Sequence, residues 1–348
     1  MNIYVYKIPM NEGFYVDYAI KGLKQNGHNV FVKKMDMPRS VEIEFCKFNK
    51  IDLILFYGFS FMNHIKHQYT GDDPQLFFLP EMLKVPYAVH WCDDPRRYIH
   101  DLQWIKNTNY TFFICDSELV QKMHILGFEK SHYLPTCFDP DIQYPRGIYK
   151  EYVCDVAFAG TVFENKTILN KRNGLGFEDI ILLDEIKKER TPGKYYDYIQ
   201  ALIEKKLNSF ANLSQVQQCA LMEEKHYLRQ DMFEAISEFK LSVFGQGDGR
   251  FEDYPNFYRG RNLDQHDELP YLYSSAKISL SIELLPASVH QRIMECCGCG
   301  GFILGEDKAD MKKCFDEFVV WETLDELKSK TKFFLENEPE RTRIAKSM

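Results

Sequence analysis

Residues 152–160 form an apolar run that ends in a glycine, YVCDVAFAG, and they follow a segment of quite different character. That segment, residues 135–150, reads PTCFDPDIQYPRGIYK and contains three prolines but no regular periodicity. Clustered prolines and irregular polarity are typical of a linker. The sequence therefore predicts that a linker ends near residue 150, and that a new strand and glycine turn begin a second folded half of the chain.

Upstream of this linker, strand-like runs alternate with helical patterns. The first helical pattern covers residues 14–25, which carry apolar side chains at helical spacing. The strand-like runs are residues 2–8, 29–33, 51–57, 85–91, 110–115 and 131–134. Because strands that alternate with helices favour a parallel sheet covered on both faces, we expect an α/β domain here.

Downstream of the linker the same alternation resumes after a long interruption. Further strand-like runs lie at residues 240–244, 278–282, 301–304 and 318–321. The interruption, at about 165–239, is almost wholly helical in pattern. The predicted organisation is an N-terminal Rossmann-like domain (1–135), a linker (136–150), a C-terminal Rossmann-like domain (151–335) with the helical insertion, and a tail (336–348). If the two domains face each other, the expected active site is the cleft between them.

Composition narrows the functional class. The chain has 348 residues, enough for about two ordinary domains, and a formal net charge of −8. An acidic chain lacks the basic face that a nucleic-acid-binding protein needs. Its 10 cysteines are mostly isolated within apolar runs, which is typical of reduced cytosolic proteins. We expect no signal peptide and no membrane span, and hence a cytoplasmic protein.

The most informative stretch for chemistry is residues 288–304, SVHQRIMECCGCGGFIL. Arg292 and Glu295 are three residues apart on one face of a predicted helix that ends in a glycine-rich turn before a buried strand. A carboxylate in this position can accept hydrogen bonds from ribose hydroxyls, and an arginine can bind phosphate oxygens. The alternative is an ordinary Arg–Glu helical pair without a ligand, and the spacing alone favours this alternative.

This stretch resembles a known signature. The pattern R-x-x-E, followed by C-G-G and an apolar strand, is similar to the C-terminal signature of spore maturation protein CgeB-type glycosyltransferases, relatives of the group-1 enzymes. That family has the GT-B fold of two facing Rossmann-like domains. The resemblance covers most of residues 135–348. Further similar segments are residues 155–161, 258–260, 269–276, 317–321, 325–327 and 338–341.

The resemblance implies roles for individual residues. Glu295 would bind the ribose of a nucleotide-sugar donor, Arg292 would lie near the donor, and the backbone of Gly160 and Thr161 would lie near its diphosphate. The chain departs from the family at Ala287, where group-1 enzymes often have a second glutamate that reaches the donor sugar. Recognition of the sugar must therefore differ at this position.

Other candidate donor ligands rest on position in the sequence. Arg172 follows the Gly160 turn and is either a phosphate ligand or a solvated charge. Gly245 begins the segment GQGDG after a strand, which is either a phosphate-binding loop or a flexible loop beside the base. His290 precedes the Arg292 motif. The predicted donor-binding residues are Gly160, Thr161, Arg172, Gly245, His290, Arg292 and Glu295.

In the N-terminal half, the segment HWCDDPRR follows a predicted strand. His90, Asp93 and Asp94 are the catalytic candidates, because one of them is placed to orient the acceptor or to move its proton. Asp94 before a proline also fits a helix cap. Trp91 is a candidate for acceptor binding, and so is Gly13 in the first loop.

The sequence predicts no metal ion and no cofactor. Adjacent carboxylates on a strand point to opposite sides, which disfavours shared metal binding by Asp93 and Asp94. The cluster Cys296, Cys297 and Cys299 has no second cysteine or histidine pair at zinc-site spacing, and we interpret it as structural.

The predicted function is therefore transfer of a sugar from a nucleoside diphosphate sugar to a protein or polysaccharide acceptor, with retention of configuration and without metal. The expected partners are the donor and this acceptor, with a homo-oligomer formed through the helical insertion as a further possibility. The alternative is a non-catalytic GT-B-like protein that binds a nucleotide or sugar and serves as a scaffold. The missing glutamate at Ala287 favours that alternative, whereas Glu295 and Arg292 favour an enzyme.

Overall fold

The computed structural model describes residues 1–7, 13–33, 37–58, 60–62, 78–162, 165–206, 213–245, 257–282 and 284–348. The chain divides into two compact units, Met1–Pro135 and Thr136–Met348. No helix among these residues is long and apolar enough to cross a membrane.

The N-terminal unit is built on a parallel sheet. Its strands are β1 (Asn2–Val5), β2 (Asn29–Val32), β3 (Leu53–Tyr57), β4 (Tyr87–Trp91), β5 (Tyr110–Ile114) and β6 (Ser131–Tyr133). Its helices are α1 (Gly13–Gln25), α2 (Arg39–Phe48), α3 (Leu79–Leu83) and α4 (Ser117–Ile125), with 3₁₀ turns at Pro95–Tyr98 and Gln103–Asn107. The strand order is β2-β1-β3-β4-β5-β6. Every neighbouring pair is parallel, as the alternating sequence pattern predicts.

The C-terminal unit is built on a second parallel sheet. Its strands are β7 (Val156–Ala159), β8 (Leu241–Phe244), β9 (Phe257–Gly260), β10 (Ile278–Ser281), β11 (Ile303–Glu306) and β12 (Val320–Trp321). Their order is β12-β11-β10-β7-β8-β9. This is the doubly wound order, in which the direction of winding reverses between β7 and β10. Ligands of such sheets bind at the carboxyl ends of the strands next to this reversal.

Helices cover the second sheet and fill the long interruption in its pattern. They are α5 (Asn165–Arg172), α6 (Phe177–Lys188), α7 (Tyr198–Lys206), α8 (Leu213–Ala235), α9 (Leu269–Ser275), α10 (Gln291–Gly298), α11 (Met311–Cys314), α12 (Leu324–Glu336) and α13 (Glu338–Ser347), with a 3₁₀ turn at Lys150–Tyr152. The first four of these helices lie within residues 165–239, where the sequence predicts a helical insertion.

Helix α8 joins two hydrophobic clusters. Its N-terminal half contributes Val216 and Ala220 to a small core shared with α6 and α7. Its C-terminal half contributes Leu228 and Met232 to the main core, which packs on β7, β8 and β10. Burial of apolar side chains along the whole length of α8 therefore fixes the insertion to the sheet.

Three features of the C-terminal half add to the organisation expected from the sequence. Residues 336–348 are not a loose tail, because they contain α13, whose Ile344 is buried in the main core. Residues 136–150 are not a free linker, because the N–H groups of Arg146 and Tyr149 donate to the hydroxyl groups of Ser274 and Ser275 at 2.9 Å. Finally, residues 257–260 form β9 at the edge of the sheet, although the sequence pattern predicts no strand there.

Candidate functional site

Two glycines bring the carboxyl ends of β7 and β8 into direct contact. The N–H group of Gly160 donates to the carbonyl of Phe244 at 2.7 Å. A Cβ atom placed on Gly245 would lie 2.1 Å from the carbonyl oxygen of Gly160, so only glycine fits at position 245. A Cβ atom on Gly160 would lie 3.0 Å from Nη2 of Arg292. The turn after β7 is thus shaped to receive a guanidinium group.

Helix α10 begins beside the reversal point of the sheet. Nδ1 of His290 caps this helix by accepting a hydrogen bond from the N–H group of Arg292 at 2.9 Å. At the other end, Gly300 has a φ of 68°, and the N–H groups of Gly300 and Gly301 donate to the carbonyls of Cys297 and Cys296. These bonds form a Schellman motif, which ends the helix and directs the chain into β11. The N-terminus of α10 carries a partial positive charge that favours an anion.

Two buried arginines lie against one aromatic ring at the end of β7. The guanidinium carbons of Arg292 and Arg229 are 4.9 and 5.1 Å from the ring centroid of Phe158. The side chains are only 8% and 5% exposed, respectively. Arg229 also donates a hydrogen bond to the carbonyl of Thr161. Within the described part of the chain, Nη1 of Arg292 is buried and has no hydrogen-bond partner.

The charges of these arginines also act on the neighbouring imidazole of His290. Burial lowers the pKa of His290 well below its ordinary value, and the positive charges of Arg292, Arg229 and Lys225 lower it further. The imidazole is therefore neutral at physiological pH, and its Nδ1 stays available as a cap. Several cationic side chains and a helix N-terminus converge here, which is the arrangement that binds a phosphate group.

Glu295 lies one turn further along α10 and is 4% exposed. Its Oε1 accepts hydrogen bonds from Nε2 of Gln265 at 2.7 Å and from Nε2 of Gln291 at 2.6 Å. Burial raises the pKa of Glu295 to about 7, although Gln265 and Arg292 oppose this shift. The alternative of an ordinary Arg–Glu pair does not describe this carboxylate, because two glutamines position it.

Arg172 is placed differently from the other predicted donor ligands. Its side chain forms ion pairs with Glu223 at 2.9 Å and with Asp184 at 2.6 Å. The Glu223 side chain is fully buried, so Arg172 neutralises a carboxylate inside the insertion. The contacts of Arg172 therefore lie within the insertion, and its predicted role as a phosphate ligand stays a prediction.

Trp91 is not available to stack on an acceptor. It is fully buried, and a Cβ atom on Gly58 would lie 2.5 Å from its ring. The parallel sheet of the N-terminal unit is covered on both faces, which explains why this last residue of β4 belongs to the core. His90 has its Nδ1 3.7 Å from the Cys92 thiol, and burial lowers its pKa to about 4. Such an imidazole is a weak base at neutral pH, which does not support the predicted catalytic role.

The two aspartates that follow β4 differ sharply. Asp94 is 4% exposed and caps the 3₁₀ turn by accepting from the N–H group of Arg96 at 2.9 Å. It also forms a buried ion pair with the Arg96 guanidinium at 2.6 Å. Asp93 has a side chain that is 77% exposed and lies 3.9 Å from Arg97. Of the two alternatives for Asp94, the structure therefore shows the cap.

The remaining predicted residues are partly outside the described structure. Gly13 is the first residue of α1, whereas the loop before it and residues 246–249 lie outside the described residues. Burial raises the pKa of the Cys297 and Cys299 thiols to about 12, which disfavours the thiolate form that binds metal ions. Among the described residues, no group of three or more His, Cys, Asp or Glu side chains could hold a metal ion.

Sequence reasoning missed the residues that complete this site. Arg229 belongs to a helix that looks simply amphipathic, although it stands beside Leu228 and four residues before Phe233, both in the core. The available signal was the position of Arg229 at the border of the apolar face of this helix. Gln265 lies in a loop without periodicity, and nothing in the sequence marks it.

Comparison with known proteins agrees with this geometry. A family model described as "Glycosyl transferase-like" matches residues 227–348. Residues 227–348 are thus similar to the glycosyl transferase-like family. The matched segment includes Arg229, Gln265, Arg292 and Glu295, and the match confirms the predicted enzyme class, a glycosyltransferase. No protein of curated function matches the sequence significantly.

Solved structures confirm the predicted GT-B fold. HepE of Anabaena in complex with UDP-glucose aligns with a TM-score of 0.52 and 10% identity, over 100% of this chain and 93% of that chain. The same protein in complex with UDP gives a TM-score of 0.52 and 9% identity, over 99% and 93%. Its complex with UDP and glucose gives 0.50 and 10%, over 100% and 93%.

Proposed function

We propose that this glycosyl transferase-like chain transfers a sugar from a nucleoside diphosphate sugar to a glycan or protein acceptor. The observation that carries the proposal is the pair of buried guanidinium groups, Arg229 and Arg292, at the glycine turn after β7. The Nη1 of Arg292 is buried without a hydrogen-bond partner among the described residues, and it lies beside the reversal point of a doubly wound sheet, where an anionic ligand can bind it. A diphosphate supplies this anion.

In the proposed complex, each part of the site has one task. Arg292, with its buried Nη1 lacking a protein partner, binds phosphate oxygens, and Arg229 holds the Thr161 carbonyl and adds positive charge. The N-terminus of α10 faces the same charge. When the bond between sugar and diphosphate breaks, negative charge grows on the leaving diphosphate, and these fixed positive groups stabilise it. In this proposal the positive groups stabilise the leaving diphosphate without a metal ion. From the family resemblance, we also propose that the configuration of the transferred sugar is retained.

Glu295 is proposed to bind the ribose. Its Oε1 is held by two glutamines, which fixes the direction of the carboxylate before a ligand arrives. A fixed carboxylate can accept hydrogen bonds from two adjacent hydroxyl groups. UDP is the first nucleotide to test, since HepE, which shares the fold, is solved with UDP and UDP-glucose. The CgeB-type assignment and the acceptor-binding role of residues 1–135 stay predictions.

The proposal is tested by thermal shift with a panel of nucleoside diphosphates and their glucose conjugates, with and without EDTA. We expect one diphosphate to raise the melting temperature, with no effect of EDTA, and Arg292→Met to abolish the shift. Arg172→Met is the matched control, since Arg172 lies in the insertion and should leave the ligand-induced shift intact. No stabilisation of the wild type by any nucleotide contradicts the proposal.

A second assay separates the enzyme from the binding-only alternative. Incubation with radiolabelled donor should release free diphosphate, slowly by hydrolysis and faster with a suitable acceptor extract. Tight donor binding without any release of diphosphate would favour the non-catalytic scaffold. That alternative draws support from the buried positions of Asp94, a predicted catalytic residue, and Trp91, a predicted acceptor-binding residue.

A further inference from the structure

A buried ion pair lies at the carboxyl end of β11 and takes no part in the site described so far. Nζ of Lys308 lies 3.3 Å from Oε2 of Glu306, and the two side chains are 4% and 11% exposed. The same Nζ lies 4.6 Å from the ring centroid of Tyr195, in the loop before α7 of the insertion. Burying an ion pair costs desolvation free energy and is weak evidence for stability. A buried ion pair of this kind is a candidate for a functional site.

Helix α8 carries charged residues that interact electrostatically with this ion pair and with the N-terminus of α10. Burial raises the pKa of Glu224 well above its ordinary value, and Lys308 and Glu306 are among the charges that act on it. The next residue, Lys225, is among the charges that act on His290 at the N-terminus of α10.

A main-chain hydrogen bond joins the same two regions on the other side. The N–H group of Asp310 donates to the carbonyl of Ala287 at 3.0 Å. Ala287 lies three residues before His290, the cap of α10, and Asp310 lies two residues after Lys308. The loop that carries Lys308 is thus fixed to the segment that leads into α10.

The order of groups along the site gives the direction of the donor. Glu295 lies one turn inside α10, and the proposed diphosphate ligands lie at its N-terminus. A donor with its ribose at Glu295 and its diphosphate at Arg292 continues past the N-terminus of α10, towards Ala287 and the loop of Lys308. We propose that Lys308, Glu306 and Tyr195 form the subsite for the transferred sugar and select a neutral hexose; this inference rests on the proposed donor site.

The chemistry of these side chains fits a neutral sugar. Lys308 offers N–H donors, Glu306 offers carboxylate acceptors, and Tyr195 offers an aromatic face for the C–H groups of a pyranose. Because Glu306 compensates the charge of Lys308, a sugar with its own carboxylate gains little from the lysine and is repelled by the glutamate. Ala287 supplies no carboxylate, so Glu306 takes over the recognition of sugar hydroxyls.

The test compares calorimetric affinities for UDP, UDP-glucose and UDP-glucuronate. We expect Lys308→Met to weaken UDP-glucose binding about tenfold, the effect of one charge-assisted hydrogen bond, while UDP affinity changes less than about twofold. In Glu306→Gln, the uncompensated lysine should raise the affinity ratio of UDP-glucuronate to UDP-glucose about tenfold. A merely structural role for the pair would not change this ratio.

Lys328→Met is the matched control, because the Lys328 side chain is 49% exposed and pairs with an exposed glutamate, Glu238, at 2.8 Å. It should leave all three affinities unchanged. If UDP binds but both site variants keep the wild-type ratios among the three ligands, the sugar subsite is overturned while the proposed function stands. If the wild type does not bind UDP or UDP-glucose, the donor site and the subsite are overturned together.

Discussion

Arg229 donates a hydrogen bond to the main-chain carbonyl of Thr161, a residue that precedes it by 68 positions. The bond connects the turn after β7 with α8, the last helix of the insertion. Since α8 is also buried in both hydrophobic clusters, the insertion is not a separate appendage of the fold. It returns the chain to the sheet and contributes a cation to the proposed donor site.

Arg229 and Arg172 should behave differently when each is replaced by methionine. Arg229→Met is expected to weaken UDP binding by about tenfold to a hundredfold, which corresponds to one hydrogen bond to a charged group. Arg172→Met should keep the wild-type affinity but lose about 3 kcal/mol of unfolding free energy, because it leaves buried Glu223 without its cation. Calorimetric titration and urea denaturation measure the two effects, and a loss of affinity in Arg172→Met would contradict the assignment.

Glu295 should make the protein less stable as the pH rises. Its pKa is about 7 in the folded protein against an ordinary value of 4.5, so the folded state binds more protons than the unfolded state between these values. The contribution of this group to the unfolding free energy therefore falls between pH 4.5 and 7, by about 3 kcal/mol. The unfolding free energy of Glu295→Gln, relative to that of the wild type, should therefore rise by about this amount as the pH increases from 4.5 to 7.

Glu268 provides a control of opposite sign. The Arg261 guanidinium lowers the pKa of Glu268 to about 2, so its contribution is present above the ordinary pKa and is lost as the pH falls towards 2. Glu268→Gln should therefore be less stable than wild type above pH 4.5, with a difference that shrinks in acid. A stability difference for Glu295→Gln that does not vary between pH 4.5 and 7 would show that this carboxylate titrates normally.

Gly245→Ala should damage both stability and donor binding. The new Cβ atom would meet the main chain of Gly160 at 2.1 Å, so β7 and β8 must separate and the turn that receives Arg292 must move. Gly22→Ala is the matched control, since Gly22 lies inside α1 with nothing within 4 Å of an added Cβ. This control should gain up to about 1 kcal/mol. Equal melting temperatures for wild type and Gly245→Ala would contradict the close contact of the two strands.

Asp94 should prove to be structural. Asp94→Ala leaves the fully buried Arg96 without its carboxylate and should cost about 3–5 kcal/mol of unfolding free energy. Asp93→Ala changes an exposed side chain and should stay within about 0.5 kcal/mol of wild type. Denaturant titrations of both variants test this. An Asp94→Asn variant with wild-type stability but no turnover would instead assign a catalytic role to this residue.

The sequence predicts most of the strands because their apolar runs are bounded by turn residues. The resemblance to the CgeB-type family also predicts that Gly160, Arg292 and Glu295 lie near one donor, and the structure places Arg292 beside the Gly160 turn. The sequence does not predict strand β9, FYRG, because it lies at the sheet edge, where no longer apolar run is required.

Side-chain direction is the part that local sequence does not determine. Trp91 and Asp94 lie close to the end of β4, as expected, but tertiary packing turns both into the interior. Arg229 shows the reverse case, since a helix 68 residues after Thr161 must fold back before its cation reaches the turn. Lys308 and Tyr195 likewise meet only in the folded chain.

The most direct test of the donor site is the contribution of the diphosphate to binding. Calorimetric titration of UDP and of uridine, both in EDTA, measures this contribution as the ratio of the two dissociation constants. We predict a ratio of at least about a hundredfold for the wild type, the value of two charge-assisted hydrogen bonds, and a loss of most of it in Arg229→Met/Arg292→Met. An unchanged ratio in the double variant would show that the diphosphate binds elsewhere, and it would contradict the central claim.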